Sequence, residues 1–148
     1  MLVVFLGTAV LLVSGYAFAA GLPGVPKAFQ PYAKWQRVNA KPIPPTPTTA
    51  HSGDVKNVFA SKRKAGKRYP YGTIIVKEGR TGTGSKRFVS LIATIQKRRG
   101  ADPSHGDWVF VEWARSSAGA RFTLLARDGI CWSCHLQARG NDWVFTKR

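Results

Sequence analysis

Three runs rich in β-branched and aromatic residues, joined only by short turns, constrain the fold of this chain most. The runs are Thr73–Lys77, Phe88–Ile95 and Trp108–Trp113, and their composition predicts β-strands. Glycine- and charge-rich segments at 79–86 and 98–106 connect them. Because parallel strands need a longer crossover, connections this short favour an antiparallel meander. The sequence therefore predicts an α+β, mainly β fold built on a small antiparallel sheet.

One or two helices are expected to pack on this sheet. Ser52 or Asp54 can cap a short helix that begins at Val55, with its apolar face at positions 55, 58 and 59. Near the C-terminus, the apolar run Trp143–Thr146 predicts a last short strand.

The N-terminal segment has the pattern of an export signal. The first 26 residues carry no charged side chain, and the apolar run Leu2–Val13 is followed by the small residues of Ala17–Gly21. This pattern predicts a signal peptide at residues 1–20, a linker at 21–27 and a single domain at 28–148. A retained membrane anchor is the alternative, since about 20 apolar residues can span a bilayer. Either interpretation places the domain in the periplasm or in another compartment outside the cytoplasm.

The chain is strongly basic, with 23 Lys plus Arg against 7 Asp plus Glu and a net charge of +16. No helix-turn-helix, zinc-finger or RNP-like pattern accompanies this charge, so a nucleic-acid partner is not expected. A basic surface can instead steer the protein toward an acidic redox partner or an anionic membrane.

The segment from Cys131 to His135 reads Cys-Trp-Ser-Cys-His, the attachment motif of c-type haem. Two thiols at this spacing can each form a thioether with one haem vinyl group. The histidine after Cys134 then lies beneath the iron as its proximal ligand. The motif predicts one covalent haem c per chain.

Other uses of two cysteines fit less well. A thioredoxin-type pair belongs at a strand-to-helix turn in a βαβ unit, which this sequence lacks. A zinc site needs four ligands, and the spacing of His51 and His105 matches no common zinc module. A plain disulfide leaves the adjacent histidine unexplained.

The sixth position of the iron is expected to be open or occupied by water. The only methionine is Met1, inside the export segment, so a methionine ligand is excluded. His51 or His105 could bind the iron, but isolated histidines of this kind more often lie at the surface or cap a turn. An open site indicates a protein that binds or transforms a small molecule.

Four segments in order resemble the cytochrome P-460 family. They are Tyr69–Glu78, Gly106–Phe110, the haem motif and Asp142–Thr146, and Trp35 and His51 extend the similarity. The resemblance implies a mainly antiparallel sheet, five-coordinate haem and a homodimer.

The resemblance also implies a function and a role for Lys77. In the family, the lysine at this position is joined covalently to the haem macrocycle in enzymes that oxidise hydroxylamine and pass electrons to an external acceptor. The related cytochromes c-prime-beta lack that bond and bind nitric oxide beneath an apolar distal cap.

The sequence departs from the hydroxylamine-oxidising members at their distal glutamate. Alignment of the strand after Lys77 puts Ile92 at that position, and an isoleucine cannot accept a proton. Glu112 is a candidate substitute as proton relay, although a solvent-facing strand residue is the preferred interpretation.

Two functional hypotheses follow. The first is an oxidoreductase acting on hydroxylamine or a related small nitrogen species, with Lys77 tuning the macrocycle. The second is a non-catalytic protein that binds nitric oxide or transfers electrons, with Phe88 and Ile92 crowding the distal side.

Overall fold

A computed structural model describes residues 21–45 and 51–145 and contains one six-stranded antiparallel sheet. The strands are β1 (Gln36–Arg37), β2 (Val55–Ala60), β3 (Ile74–Thr81), β4 (Phe88–Lys97), β5 (Trp108–Ala114) and β6 (Thr123–Arg127). Their spatial order is their order in the sequence, so the sheet is a meander. One helix, α1 (Gly129–His135), follows the last strand. The predicted mainly β fold with an antiparallel sheet is confirmed.

The predicted export segment, residues 1–20, lies outside the described residues. In the part of the chain that is described, no helix is both long and apolar enough to cross a membrane. Residues 21–27, interpreted from the sequence as a linker, pack against the sheet. Val25 is buried, and the Phe122 backbone N–H donates to the Pro23 carbonyl at 2.7 Å.

The helix predicted to begin at Val55 is wrong, because this segment is strand β2. Burial alternates along it, with Lys56, Val58 and Ala60 buried. A run of six residues fits a period of two as well as a helical period. Because β2 pairs with β3 over its full length, this segment is a strand and not a helix.

The strand predicted at Trp143–Thr146 is also wrong within the described residues. Asp142 and Trp143 have φ angles of 57° and 64°, in the left-handed region. Two successive residues of this kind turn the chain and cannot form an extended strand. Val144 and Phe145 follow without regular structure, and Thr146 lies outside the described residues.

The sheet buries both faces. One face carries a core to which Tyr69, Trp108 and Phe110 contribute, with Trp132 of helix α1 packed against it. The other face carries a core that includes Tyr32, from the 3-10 helix Lys27–Lys34. Helix α1 and the C-terminal turn therefore lie on the first face, which is the face that forms the site.

Candidate functional site

Helix α1 carries the cysteine motif and is anchored to β5. Asp128, just before the helix, accepts a hydrogen bond from the Phe110 N–H through Oδ1 at 3.1 Å. Its own N–H donates to the Phe110 carbonyl at 3.0 Å. Within the helix, Cys131 and Cys134 are three residues apart and so lie on one side. Both cysteines are free thiols, with Cys131 half-buried and Cys134 exposed.

The thiol of Cys131 is unlike a redox-active cysteine. Burial raises its pKa to about 11, and the nearby charges of Glu112 and Asp128 act in the same direction. Thioredoxin-type cysteines have a lowered pKa. This electrostatic environment favours the haem interpretation of the motif over a dithiol–disulfide couple.

A cavity of about 510 Å³, counting the part open to solvent, lies between helix α1 and the sheet. Cys131 and His135 line it from the helix side. Most of its wall is aliphatic or aromatic, and His51, Lys77 and Glu112 bring polar groups into it. Its lining, mostly apolar with a few polar groups, matches that of pockets that hold cofactors.

His135 is held as an iron ligand requires. Its Nδ1 lies 2.7 Å from the backbone carbonyl oxygen of Trp143. Because a carbonyl can only accept, Nδ1 carries the hydrogen and Nε2 has a free lone pair. Burial lowers the pKa of His135, and the charges of His51 and Lys77 add to this effect. The imidazole is thus kept neutral, and these residues fit a haem iron.

Two aromatic rings hold the imidazole of His135 in place. The rings of Phe110 and Phe145 lie 5.0 and 5.1 Å from it, centroid to centroid, in edge-to-face arrangements. Among the described residues, no group of three or more His, Cys, Asp or Glu side chains could hold a metal ion.

The turn that presents the Trp143 carbonyl is fixed by a buried ion pair. Lys97 Nζ lies 2.6 and 2.7 Å from the two carboxylate oxygens of Asp142. The Tyr69 backbone N–H donates to the same carboxylate at 2.7 Å. Since Asp142 directly precedes Trp143, this network positions the carbonyl that orients His135.

Lys77 lies in the cavity, in a row of side chains that crosses the sheet. Strand register places it opposite Val58 on one side and Ala93 on the other, and Ala93 lies opposite Glu112. The pKa of Lys77 is lowered to about 8, mainly by burial and also by the charge of Lys56, while the charge of Glu112 opposes the shift. Lys77 is therefore not an ordinary solvated strand lysine.

Glu112 is buried in the same cavity, so the preferred expectation of a solvent-facing residue is wrong. It is 5% exposed, because it shares a strand face with Trp108 and Phe110, which pack inward. Its Oε2 is 3.1 Å from His51 Nδ1. Within the described part of the chain, its buried Oε1 has no hydrogen-bond partner.

The two histidines outside the motif have different environments. His51 lines the cavity, and its ring centroid lies 6.4 Å from that of His135. The expectation that it lies at the surface is wrong, as its side chain is only 15% exposed. His105 stacks on Trp132 at 4.0 Å and pairs with Asp102 at 2.6 Å, outside this cavity.

The predicted distal residues Phe88 and Ile92 do not line the cavity. Ile92 is fully buried on the opposite face, packed with Val76 and Trp113. Its strand partner is Glu78, one position beyond Lys77. A shift of one residue along a strand moves every side chain to the other face, so Ala93 takes the place expected for Ile92. Phe88, at the start of β4, instead lies near the guanidinium of Arg115.

The family model described as Cytochrome P460 matches residues 30–146. No curated protein matches the chain.

Proposed function

The chain belongs to the cytochrome P460 family and is a haem protein of that family. From this premise we propose that it oxidises hydroxylamine or a related small nitrogen species. Cys131 and Cys134 would hold one covalent haem c, with His135 Nε2 on the iron. When bound, the haem supplies a redox-active iron with an open coordination position. The chain's own residues must then bind the substrate and remove its protons.

The burial of the Glu112 carboxylate in the cavity is the observation that supports the proposal most strongly. Removing electrons from hydroxylamine also releases protons, so the reaction needs a proton acceptor beside the substrate. Among the described residues, the buried Glu112 Oε1 has no hydrogen-bond partner. The Glu112 side chain lines the cavity. His51 holds the other oxygen in place. The wall around this acceptor is mostly apolar, and the cavity is partly open to solvent.

Replacing Glu112 with glutamine tests the proposal. The amide keeps the size of the side chain but cannot take up a proton, so hydroxylamine turnover is expected to fall about 100-fold. Turnover is measured with an artificial electron acceptor at matched haem content. The control is Ile95→Val, a substitution on the cavity face that removes no proton acceptor. Equal turnover in wild type and Glu112→Gln would remove the support for proton transfer at this residue.

We extend the proposal to a bond between Lys77 Nζ and the haem macrocycle, as the family resemblance implies. Forming this N–C bond replaces one N–H bond of the amine and one C–H bond of the macrocycle, and the two protons and two electrons released would pass to a two-electron oxidant such as hydrogen peroxide. With a pKa of about 8, the amine is neutral in an appreciable fraction of molecules near that pH, and a neutral amine is a nucleophile. The ferrous spectrum and the alkaline pyridine haemochrome are expected to differ from those of ordinary haem c. Lys77→Leu is expected to restore the ordinary spectrum. An ordinary spectrum in the wild type would make Lys77 a bystander.

A nitric-oxide-binding or electron-transfer protein of the cytochrome c-prime-beta type is the second candidate. The apolar wall of the cavity favours it, with Val58, Ile75 and Ile95 on the sheet side. This candidate predicts tight nitric oxide binding together with an ordinary haem c spectrum and no hydroxylamine turnover. The same two measurements therefore separate the candidates.

We also propose export to the periplasm or an equivalent compartment through residues 1–20, as a cleaved signal or a retained anchor.

We further propose that the protein is a homodimer. Three large apolar side chains are exposed, Leu124 and Leu125 on the edge strand β6 and Ile130 on helix α1. A second copy of the chain could cover part of this apolar surface, which supports the dimer.

A further inference from the structure

A second concave surface, here called the basic groove, lies beside the haem-attachment helix. It is lined by Lys67, Arg68, Tyr71, His105, Leu136 and Arg139, among others. Its volume is about 1390 Å³, counting the part open to solvent. Leu136 directly follows His135, so the groove begins where the haem motif ends.

The groove presents positive charge that the protein does not neutralise. Lys67, Arg68 and Arg139 are exposed, and none forms an ion pair in the described part of the chain. Of its two carboxylates, Asp142 pairs with Lys97 and Asp107 accepts a hydrogen bond from the Tyr71 hydroxyl at 2.7 Å, which leaves more basic than acidic side chains in the lining. A negatively charged surface is therefore its natural complement.

Part of the groove lining has the composition of a protein interface. Leu136 and Tyr71, which line the groove together with the basic residues, are 46% and 39% exposed. Exposed apolar and aromatic side chains beside charged ones are typical of protein-binding surfaces. A flat membrane would not fill a concave surface, so these features favour a protein partner.

An aromatic pair links the groove to the haem motif. Trp132, between the two cysteines, stacks on the His105 ring at a centroid distance of 4.0 Å. His105 lines the groove. A protein docked there would contact the residues packed directly against the attachment segment.

We propose that the basic groove is the docking site of an acidic one-electron redox protein, which accepts the electrons that substrate oxidation leaves on the haem. This inference rests on the proposed function for the source of those electrons. In each encounter the haem protein loses one electron and the acceptor gains that electron. No covalent bond forms or breaks.

The test compares two triple variants with the same change in net charge. The groove variant is Lys67→Glu, Arg68→Glu and Arg139→Glu. The control variant is Lys27→Glu, Lys34→Glu and Lys86→Glu, whose sites are exposed and lie outside the groove. The probe is plastocyanin, a small acidic copper protein. Its cadmium-substituted form measures binding, and its oxidised copper form measures the rate of electron transfer from the reduced haem protein.

The groove variant is expected to weaken binding and to lower the second-order rate constant about tenfold at low ionic strength. The control variant is expected to change both by less than about threefold, and raising the salt concentration is expected to reduce the difference. With the cationic acceptor tris(phenanthroline)cobalt(III), the groove variant is expected to be oxidised at least as fast as wild type. Equal losses in the two variants, or no loss in either, would overturn the proposal.

The outcome does not depend on hydroxylamine chemistry. Plastocyanin binding and oxidation are measured without substrate, whereas Glu112→Gln is assayed with a small acceptor. If the groove variant alone loses binding while Glu112→Gln keeps full turnover, docking stands and the proposed proton acceptor fails. The reverse pattern would reject the groove and leave the proposed function intact.

Discussion

Replacing both Cys131 and Cys134 with alanine, in a Lys77→Leu background that also removes the proposed bond to the macrocycle, is expected to abolish covalent haem attachment completely. Cys131 and Cys134 are the only cysteines in the chain, so no other thiol can form a thioether. The measurement is haem-dependent peroxidase staining after denaturing electrophoresis, with expression in cells that have a working cytochrome c maturation system. Wild type is expected to keep its stain under denaturing conditions and the double alanine variant in the Lys77→Leu background to lose it.

Two controls separate attachment from folding. Ser133→Ala lies between the cysteines at an exposed position and is expected to keep full staining. His135→Ala is expected to keep the thioethers but change the spectrum, because the iron loses its proximal ligand. Covalent haem in the double alanine variant of the Lys77→Leu background would refute the assignment of the motif.

Asp142→Asn is expected to lower the free energy of unfolding by about 3–5 kcal/mol, since it leaves the Lys97 ammonium buried without its counter-charge. Both side chains are almost fully buried, at 7% and 5% exposed. Asparagine tolerates the left-handed backbone of Asp142, so the loss of charge is not confounded by backbone strain. Denaturant titration of the haem-loaded protein measures the effect.

The double variant Lys97→Met, Asp142→Asn is expected to recover part of the lost stability, because it removes the uncompensated charge. The surface control is Asp102→Asn, which breaks a partly exposed pair with His105 and is expected to cost less than about 1 kcal/mol. If Asp142→Asn costs no more than Asp102→Asn, the buried pair does not stabilise the turn that orients His135.

The central strands could be predicted because their signal is local. The predicted runs of β3, β4 and β5 lie within or near the observed strands, since alternating β-branched residues and short turns act over a few positions. Strand β2 was missed because its apolar spacing also fits a helix. Only its pairing with β3, a tertiary contact, distinguishes the two.

The haem motif could be predicted from residue types and spacing alone, whereas the opposite wall of the cavity could not. The register between β3 and β4 decides which residue of β4 faces the cavity. The sequence alone predicts Ile92 at this place, whereas the register puts Ala93 there. The contact of His51 with Glu112 joins residues 61 positions apart. One sequence signal could have placed Glu112 in the core. Glu112 shares a strand face with Trp108 and Phe110, two large aromatic residues that are expected to be buried.

The meander has a consequence for the order in which the protein matures. Every strand pairs with its neighbour in sequence, so the sheet forms through short-range contacts that close quickly. The haem motif follows the last strand and contributes no strand to the sheet. If haem is attached at Cys131 and Cys134 as proposed, the sheet wall with Lys77 and Glu112 can therefore be complete before the cysteines react.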